Sequence, residues 1–596
     1  MLNLSTHIQE AAAQLIQAHF GAEIDPASLN VQETRKEFEG ELTLVIFPLA
    51  KHRLGNLQEV GEKLGQLLTE KLDFVQGFTL VKGFLNLSMT EAYWRNFLAQ
   101  YGQDDGFLTR TDGNGTTIAV EFCSPNTNKP LHLGHLRNIV LGDSLNSLLE
   151  ANGYDVHPVC LYNDRGVAIC RSMYAWQQDG GNTNPASAGK KGDAFVGDYY
   201  VKFANDLKEE VKELVAQGID EKEAEKQAPS IIAVNEMLVQ WENGDPEIRA
   251  MWKQMNEWVY EAHAETFKSL GVSFEKFYYE SDVYEEGKEI VEEGEKQGDF
   301  YKKDDQSIWV DLEDAGLDQK LLLRGNGTSV YITQDLAVAA HKQADFDVDR
   351  SVYVVGNEQD YHFKVLFEVL KKLEKPYADG LFHMSYGMVE LPHGKMKSRA
   401  GNVVEIDDLV KEVKAEVQAA TSEQGKVDGM SEEELDALYH TLTLGAIKYF
   451  LVKVEPKKGM LYDPAESVAL TGSTGPFIQY SYARTQSLNR RAGEVTTFAA
   501  DMDLEESLHP SERKLLFRLF RYRGILKEAG DGYNPAMIAN YAYDLAREFN
   551  GFWRDCHVLQ ADKPGISAQR LALASFTGNV LRASLAILGI QAPARM

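Results

Sequence analysis

The stretch Ser124-Pro-Asn-Thr-Asn-Lys-Pro-Leu-His-Leu-Gly-His135 decides the fold of this 596-residue chain. It follows an apolar run, Thr117–Phe122, that is typical of a buried strand, and it leads into a helical pattern from about Leu133 to Asn152. A second strand-like run, Val156–Tyr162, comes next. A strand, a helix and a strand in this order favour a parallel α/β sheet.

Two histidines mark the predicted start of that helix. A helix N-terminus presents unpaired N–H groups and the positive end of the helix dipole, which favour a phosphate. Gly134 leaves room for a nucleotide, and His132 and His135 can donate hydrogen bonds to phosphate oxygens during a displacement. Two histidines that only cap a helix would give the same HxGH motif. The position after a strand and a proline-containing turn, where doubly wound sheets bind nucleotides, favours the nucleotide site.

A second, basic motif lies more than 250 residues further along. Gly394-Lys-Met-Lys-Ser-Arg-Ala-Gly-Asn402 follows the strand-like run Leu381–Val389. A basic loop after a sheet strand can close over a triphosphate, where its lysines neutralise the leaving pyrophosphate. An exposed charged turn is the simpler interpretation of such a loop alone. The pairing with the histidine motif, in this order, favours phosphate binding.

The composition is that of a globular protein, with 44% hydrophobic and 25% charged residues. The sequence has no run of about eighteen apolar residues, so it predicts no membrane span, and Met1–Phe20 lacks a signal-peptide pattern. The cysteines show no CxxC spacing, which argues against a zinc site and a disulfide framework: Cys123, Cys160, Cys170 and Cys556. We therefore expect a cytoplasmic protein.

The length predicts several domains of an α/β fold class. We expect an α+β N-terminal domain at 1–110, a Rossmann-like parallel-sheet domain at 115–405, a helical connection at 406–475 and an all-α bundle at 476–596. A Glu- and Lys-rich segment at about 175–300 predicts a helical insertion in the sheet domain. Within it, the Gly-, Asn- and Ser-rich Gln178–Asp193 predicts a mobile loop.

The net charge of −29 speaks against nucleic-acid binding, because phosphate contacts need Lys and Arg. The charge is unevenly spread, however. From Phe477 to Met596 there are 15 Lys and Arg against 12 Asp and Glu. Electrostatic fields extend over a Debye length of roughly 10 Å, so a local basic surface on this segment can still bind RNA.

The two motifs together resemble those of class I aminoacyl-tRNA synthetases, and their context is similar to the arginyl-tRNA synthetase family. The second motif departs from the family's KMSKS pattern, since it reads Lys395-Met-Lys-Ser-Arg399 and leaves open which lysine makes the main phosphate contact. The insertion at 178–245 shows no motif of the family. The residues that carry the resemblance are Val120–Asn138, Tyr331–Asp335, Gly475–Arg484, Phe47–Lys51, Lys82–Asn86 and Leu588–Pro593.

The resemblance implies a set of site residues. Those implied for catalysis are His132, His135, Lys395 and Lys397. Those implied for ATP binding are His132, Gly134, His135, Met388, Val389, Lys395, Lys397 and Ser398. Those implied for arginine are Glu121, Asn126, Tyr331, Asp335 and Gln359, and those implied for tRNA are Gln479, Tyr480, Tyr482 and Arg484. His362 near the nucleotide, and Tyr541 and Trp553 near tRNA, are weaker candidates.

Within this set, Asp335 suits the role of guanidinium anchor, because a carboxylate binds the planar arginine fork in a bidentate manner. Tyr331 lies four residues before it, so a helix would place both side chains on one face. Glu121 would add a second acidic contact. Gln359 and Asn126 would fix the amino and carboxylate ends of the amino acid.

The implied reaction joins L-arginine to tRNA(Arg) through an arginyl-adenylate and releases AMP and pyrophosphate. ATP with Mg²⁺ is the expected substrate complex, with no prosthetic group and no dedicated protein metal site. The family's dependence on bound tRNA for arginine activation is expected here, as is a monomer without membrane attachment.

Three alternatives are weaker. A synthetase for cysteine would need zinc ligands that the sequence lacks. A smaller nucleotidyltransferase of the same motif class would not need a helical C-terminal unit of about 120 residues. A non-catalytic RNA-binding relative would not need the pair His132 and His135.

Overall fold

The computed structural model describes residues 3–35, 37–390, 404–422, 429–493, 497–504 and 506–596. The N-terminal part forms an antiparallel sheet of strand order β1-β2-β4-β3, with helices packed against it. This is the predicted α+β unit. Its elements are α1 (Leu4–Phe20), β1 (Asn30–Glu33), β2 (Leu42–Val45), α2 (Leu57–Lys71), β3 (Val75–Val81), β4 (Phe84–Met89) and α3 (Glu91–Tyr101).

The sheet domain begins with the predicted strand, helix and strand. These are β5 (Thr117–Glu121), α4 (Leu133–Ala151) and β6 (Asp155–Tyr162). A helical segment follows, made of α5 (Val167–Gln178), α6 (Pro185–Ala188), α7 (Gly192–Ala216), α8 (Glu221–Gln227), α9 (Pro229–Glu242) and α10 (Pro246–Leu270). The short helix α6, capped by Asn184, lies inside the stretch predicted to be a mobile loop.

The chain then returns to the sheet. The next elements are β7 (Lys276–Tyr279), α11 (Glu280–Gln297), β8 (Tyr301–Lys302), β9 (Ile308–Val310), β10 (Lys320–Leu323), α12 (Tyr331–Phe346), β11 (Arg350–Gly356), α13 (Asp360–Lys372), β12 (Leu381–Tyr386) and β13 (Val389–Glu390). The central sheet is parallel, with strand order β12-β11-β5-β6-β7. Strand β7 was not predicted, because it lies inside the segment that the charge pattern assigned to a helical insertion.

The C-terminal part is almost entirely helical, as predicted. Its elements are α14 (Ile406–Ser422), α15 (Glu432–Val452), β14 (Met460–Leu461), α16 (Pro464–Ser467), α17 (Gly475–Ala492), α18 (Pro510–Asp531), α19 (Ala536–Asp555) and α20 (Pro564–Ile587). The predicted fold class, a Rossmann-like parallel sheet with helical insertion, an α+β N-terminal domain and an all-α bundle, is therefore confirmed. Across the described residues, no helix combines the length and the apolar character that crossing a bilayer requires.

Two basic side chains of α18 turn towards the N-terminal domain. Arg513 pairs with Glu41 at 2.9 Å and donates to the Met89 carbonyl at 2.7 Å, and Arg523 donates to the Gly106 carbonyl at 2.8 Å. Some basic residues of the C-terminal segment thus join two domains. The basic surface available to RNA is therefore smaller than the count of Lys and Arg in this segment indicates.

Helix α4 lies between the sheet and the helical bundle and is buried along most of its length. Its fully buried Arg137 donates to main-chain carbonyls on both sides of the basic motif, at Gly387, Met388 (3.2 Å) and Lys458 (2.8 Å). Burial lowers the pKa of Arg137 to about 10, so the guanidinium stays charged at neutral pH. A planar fork of N–H donors suits several fixed carbonyls better than an ammonium group does.

We therefore expect Arg137→Lys to destabilise the protein, because the lysine would leave some of these buried carbonyls without a donor. An unsatisfied buried group costs about 1–3 kcal/mol. In a domain of this size that corresponds to a melting temperature lower by about 3–10 °C. Differential scanning calorimetry of both proteins measures the change. Arg554→Lys, at an exposed arginine, is the matched control, and equal melting of both variants would contradict the role of Arg137.

Candidate active site

The two signature histidines cap α4 reciprocally. His132 Nδ1 accepts the Gly134 N–H at 3.1 Å, and His135 Nδ1 accepts the His132 N–H at 3.2 Å. Their ring centroids lie 3.9 Å apart. The two histidines therefore do cap the helix. The capping bonds use only Nδ1 of each ring, so the same residues can also bind a phosphate.

Burial keeps both rings neutral, and the capping hydrogen bonds determine which ring nitrogen carries the proton. Burial, and then Lys129, lowers the pKa of His132 to about 4. Burial lowers the pKa of His135 well below its ordinary value, with smaller effects from His132, Lys129 and His263. Both rings are thus neutral at pH 7. Since each Nδ1 accepts a main-chain N–H, each proton sits on Nε2, and two Nε2–H groups remain as donors for a ligand.

Lys129 is a cation that the sequence analysis did not single out, although it lies in the quoted stretch. Burial lowers its pKa. Its influence on the pKa values of His132 and His135 shows that it lies within electrostatic reach of both rings. The site therefore holds a partly buried ammonium group beside two neutral imidazoles.

The loop before these residues is held in a strained conformation at the carboxyl end of β5. Cys123 and Ser124 have φ values of 69° and 41°, and the Ser124 N–H donates to the Phe122 carbonyl at 3.0 Å. Asn163, at the end of β6, exchanges main-chain hydrogen bonds with Pro125 and Thr127. Strain of this kind persists only where the surrounding structure fixes it, and it is common at functional sites.

The second motif, with Lys395, Lys397, Ser398 and Arg399, lies outside the described residues. Its two flanks are described. On one side Met388 is 48% exposed, and Val389 pairs with Met460. On the other side the Leu133 N–H donates to the Val404 carbonyl and the Ile406 N–H to the Leu131 carbonyl, both at 3.0 Å. The described residues that follow the second motif thus lie directly beside the first motif.

The residues expected for arginine fall into an exposed group and a buried group. Tyr331 begins α12 and is 79% exposed, and Asn126 and Gln359 are also exposed. Asp335, one turn after Tyr331, binds His362 Nε2 at 2.6 Å. Burial alone would lower the pKa of His362, but the hydrogen bond and charge of Asp335 outweigh it and raise the pKa.

Glu121 is placed differently from the expectation. It is 5% exposed, and its Oε2 lies 2.9 Å from Nζ of the fully buried Lys342. Burial tends to lower the pKa of Lys342, yet Glu121 outweighs this effect and raises it. Glu121 is therefore paired with a buried cation inside the sheet domain, and its expected contact with arginine stays a prediction.

A second carboxylate near Asp335 is Glu280, which the sequence analysis missed. It begins α11 directly after β7 and accepts Gln334 Nε2 at 2.6 Å. Burial raises the pKa of Glu280 to about 7, although Arg165 acts in the opposite direction; Asp164 raises the pKa further, the Gln334 hydrogen bond lowers it, and Asp335 adds the smallest increase. Recognising β7 as a sheet strand would have placed Glu280 at the carboxyl edge of the sheet, beside the other candidates.

The residues expected for tRNA also divide into two groups. Gln479 is fully buried and donates to the carbonyls of Thr441 and Gln591, and Tyr482 is 9% exposed. Both side chains are buried in this structure, so their expected contact with tRNA stays a prediction. Tyr541 is likewise buried and donates to the Arg518 carbonyl at 2.9 Å.

Arg484, in contrast, opens onto a cavity of about 420 Å³. Its guanidinium lies 4.5 Å from the ring of Tyr480 and 5.7 Å from the ring of Trp553. The other lining residues include Met596 and three cations of α17 and of the C-terminal tail: Arg490, Arg491 and Arg595. Stacked aromatic and guanidinium groups beside several cations are typical of surfaces that bind single-stranded nucleic acid.

Family models match the chain in two places. One, described as "tRNA synthetases class I (R), catalytic domain", matches residues 98–457, and another, described as "DALR anticodon binding domain", matches residues 478–596. Among curated proteins, the arginine–tRNA ligase of Bacteroides thetaiotaomicron is 45% identical over 587 residues, with 98% of each chain covered. That of Porphyromonas gingivalis is 43% identical, with 100% of each chain covered.

Solved structures show the same fold. The arginyl-tRNA synthetase of Thermus thermophilus matches with a TM-score of 0.79 at 23% identity over 100% of both chains. That of Plasmodium falciparum matches with a TM-score of 0.75 at 19% identity, over 100% of this chain and 99% of that one. The catalytic-domain match spans more than half of this chain, and the curated relatives are similar along nearly its whole length. The chain therefore belongs to the class I arginine–tRNA ligase family, as its sequence motifs predicted.

Proposed function

We propose that the protein attaches L-arginine to tRNA(Arg) with ATP as the energy source, and that both steps take place at the helix start capped by His132 and His135. The observation that carries the proposal is the pair of neutral imidazoles at the N-terminus of α4. Two Nε2–H donors and a positive helix dipole can stabilise a phosphoryl group without a proton being lost to solvent.

In the first step a carboxylate oxygen of arginine attacks the α-phosphorus of ATP. The bond from that phosphorus to the bridging oxygen breaks, and pyrophosphate leaves with the electron pair. His132, His135 and Lys129 stabilise the charge that develops on the phosphate oxygens, while Lys395 and Lys397 neutralise the pyrophosphate. Catalysis then consists of positioning and charge stabilisation, with no covalent intermediate on the protein.

Arginine recognition rests on Asp335, with Glu280 as the second carboxyl group in place of Glu121. Support for this comes from the hydrogen bond between Glu280 and Gln334, the residue before Asp335, because two carboxyl groups close to each other suit a guanidinium. His362 holds Asp335 in a fixed orientation. Tyr331, Gln359 and Asn126 line the exposed side, where the amino acid enters.

Glu121 acts indirectly in this proposal. Its Oε1 lies 3.5 Å from the Ser124 hydroxyl, at the start of the strained loop, while Lys342 holds its other oxygen. We propose that the buried pair fixes the loop that carries Asn126 towards the substrate. This role needs no direct contact between Glu121 and arginine.

In the second step a terminal ribose hydroxyl of tRNA takes the arginyl group, and AMP leaves. We propose that the cavity beside Arg484 binds anticodon bases, with Tyr480 and Trp553 as stacking partners. A second contact is proposed on the N-terminal domain. There Phe47 is 45% exposed, Arg35 lies 5.4 Å from the ring of Phe84, and Lys51 and Arg53 are exposed.

Mg²⁺ is proposed to enter with ATP as part of the substrate. Among the described residues, no group of three or more His, Cys, Asp or Glu side chains is arranged to hold a metal ion. We also propose that the protein acts as a cytoplasmic monomer, on the basis of its resemblance to the arginyl-tRNA synthetase family.

For His135→Ala we expect arginine-dependent ATP–pyrophosphate exchange, measured with tRNA present, to fall by about a hundredfold or more. Removing one preorganised donor to a transition state commonly costs about 10²–10³ in rate. Binding of tRNA, measured by filter binding, should stay within about twofold. His341→Ala, at a histidine paired with Glu286, is the control, and an equal loss of exchange and tRNA binding in His135→Ala would contradict the role of His135.

For Asp335→Asn we expect the KM for arginine to rise about ten- to a hundredfold, because a charged hydrogen bond of about 1.5–3 kcal/mol is lost. The KM for ATP should change little. Exchange kinetics at varied arginine concentration test this. Asp347→Asn, at the exposed end of the same helix, should behave like the wild type, and an unchanged arginine KM in Asp335→Asn would remove Asp335 from the pocket.

For Arg484→Ala we expect the KM for tRNA in aminoacylation to rise about tenfold, since stacking on a base contributes about 1–3 kcal/mol. The arginine and ATP KM values should stay the same once tRNA is saturating. Arg547→Ala, at a partly exposed arginine paired with Asp544 on α19, serves as the control. If both variants need the same tRNA concentration as the wild type, the cavity does not bind tRNA.

A further inference from the structure

His263 is a buried histidine on α10 that the reaction described above does not use. Its side chain is 0% exposed, and neither ring nitrogen forms a hydrogen bond with any residue in the described part of the chain. Its ring is stacked on Tyr162, with centroids 5.8 Å apart and planes 11° apart. A buried imidazole without hydrogen-bond partners is unfavourable, so its presence calls for an explanation.

Two acceptors lie just beyond hydrogen-bonding geometry. The carboxyl group of Asp193, itself 3% exposed, has its Oδ2 3.9 Å from Nε2 of His263. The main-chain carbonyl of Lys129 lies near enough to raise the pKa of His263, although burial dominates and lowers it to about 3. The neutral ring therefore has one N–H and two acceptors beside it, with neither bond complete.

Helix α7, which carries Asp193, touches the signature stretch directly. Gly197 of α7 packs on Pro130, so that a Cβ atom there would lie 2.8 Å from the proline ring and 3.6 Å from the Cα of Lys129. Gly192, at the start of α7, lies so close to the Trp258 carbonyl of α10 that a Cβ would be 1.9 Å from it. Helix α10 thus packs closely on α7, and α7 in turn packs closely on Lys129 and Pro130.

A third contact joins these helices to Asp407, which follows the basic motif in the chain. Lys191, the residue before α7, donates to Asp407 at 2.8 Å and to Thr266, which lies one turn after His263 on α10. Asp407 follows the residues that pair with Leu131 and Leu133. His263 thus sits between the signature stretch and the elements that hold its neighbours, within electrostatic reach of His135.

We propose that His263 is a positioning residue for adenylate formation. With ATP bound, its single ring N–H donates to the main-chain carbonyl of Lys129. The completed bond fixes the stretch from Lys129 to His135 against the triphosphate. The inference rests on the proposed function, and it assigns to the helical insertion a part in the activation step.

The test is His263→Phe, which keeps a ring of similar shape on Tyr162 and removes both nitrogens. We expect kcat for arginine-dependent ATP–pyrophosphate exchange to fall about ten- to a hundredfold, because small misplacements of reacting groups have effects of that size. The arginine KM should stay within about twofold. The melting temperature should be equal or higher, since the variant buries no unpaired nitrogen. His157→Phe, at a histidine paired with Glu275, is the matched control.

A second pair keeps the test decisive if the phenylalanine is poorly accommodated. His263→Gln retains a donor and His263→Met does not, and the two side chains are similar in length. We expect the glutamine variant to recover at least a third of the wild-type kcat and the methionine variant to remain slow. Equal kcat in this pair, or a wild-type kcat in His263→Phe, overturns the inference. Absence of arginine-dependent exchange in the wild type itself would instead overturn the proposed function.

Discussion

The reciprocal cap at the start of α4 is the interaction on which the site depends. His132 and His135 each use Nδ1 to accept a main-chain N–H, so the fold itself selects the tautomer that carries its proton on Nε2. Burial keeps both rings neutral by lowering their pKa values. The same hydrogen bonds that begin the helix therefore prepare two donors for a phosphate. Capping and catalysis are two consequences of one geometry.

Helix α4 is linked by buried polar side chains to the sheet and to the helical bundle. Arg137 binds carbonyls on both sides of the basic motif, Asn138 donates to the Val354 carbonyl of β11 at 2.7 Å, and Asn152 donates to the Leu526 carbonyl of α18 at 3.0 Å. Asp143 pairs with Lys448 of α15 at 3.3 Å, beside the C-terminal turn at Gly589. Since buried polar groups tolerate little displacement, the sheet, the bundle and the capped helix start keep fixed relative positions.

The predictions from sequence succeeded where the pattern was local. The strand before the signature, the capped helix and the helical C-terminal part follow from periodicity and from residues close in the chain. They were less informative where contacts between residues distant in the chain determine which side chains are buried. Lys342 lies 221 residues from Glu121, so its neutralising contact left no local signal. Gln479 and Tyr482 look like RNA-binding residues in sequence, but their face of α17 packs inwards. The short strand β7 is hidden in a charged helical segment, and Glu280 was missed with it.

The proposed chemistry depends on two neutral histidines at the start of α4, each with its proton on Nε2. Nitrogen-15 NMR of the histidine-labelled protein tests it most directly, with His132→Asn and His135→Asn used to assign the two rings. Both rings are expected to show a protonated Nε2 and an unprotonated Nδ1, with shifts that do not change between about pH 8 and pH 5.5. A titration of either ring near its ordinary pKa of about 6.5, or a proton on Nδ1, would contradict it.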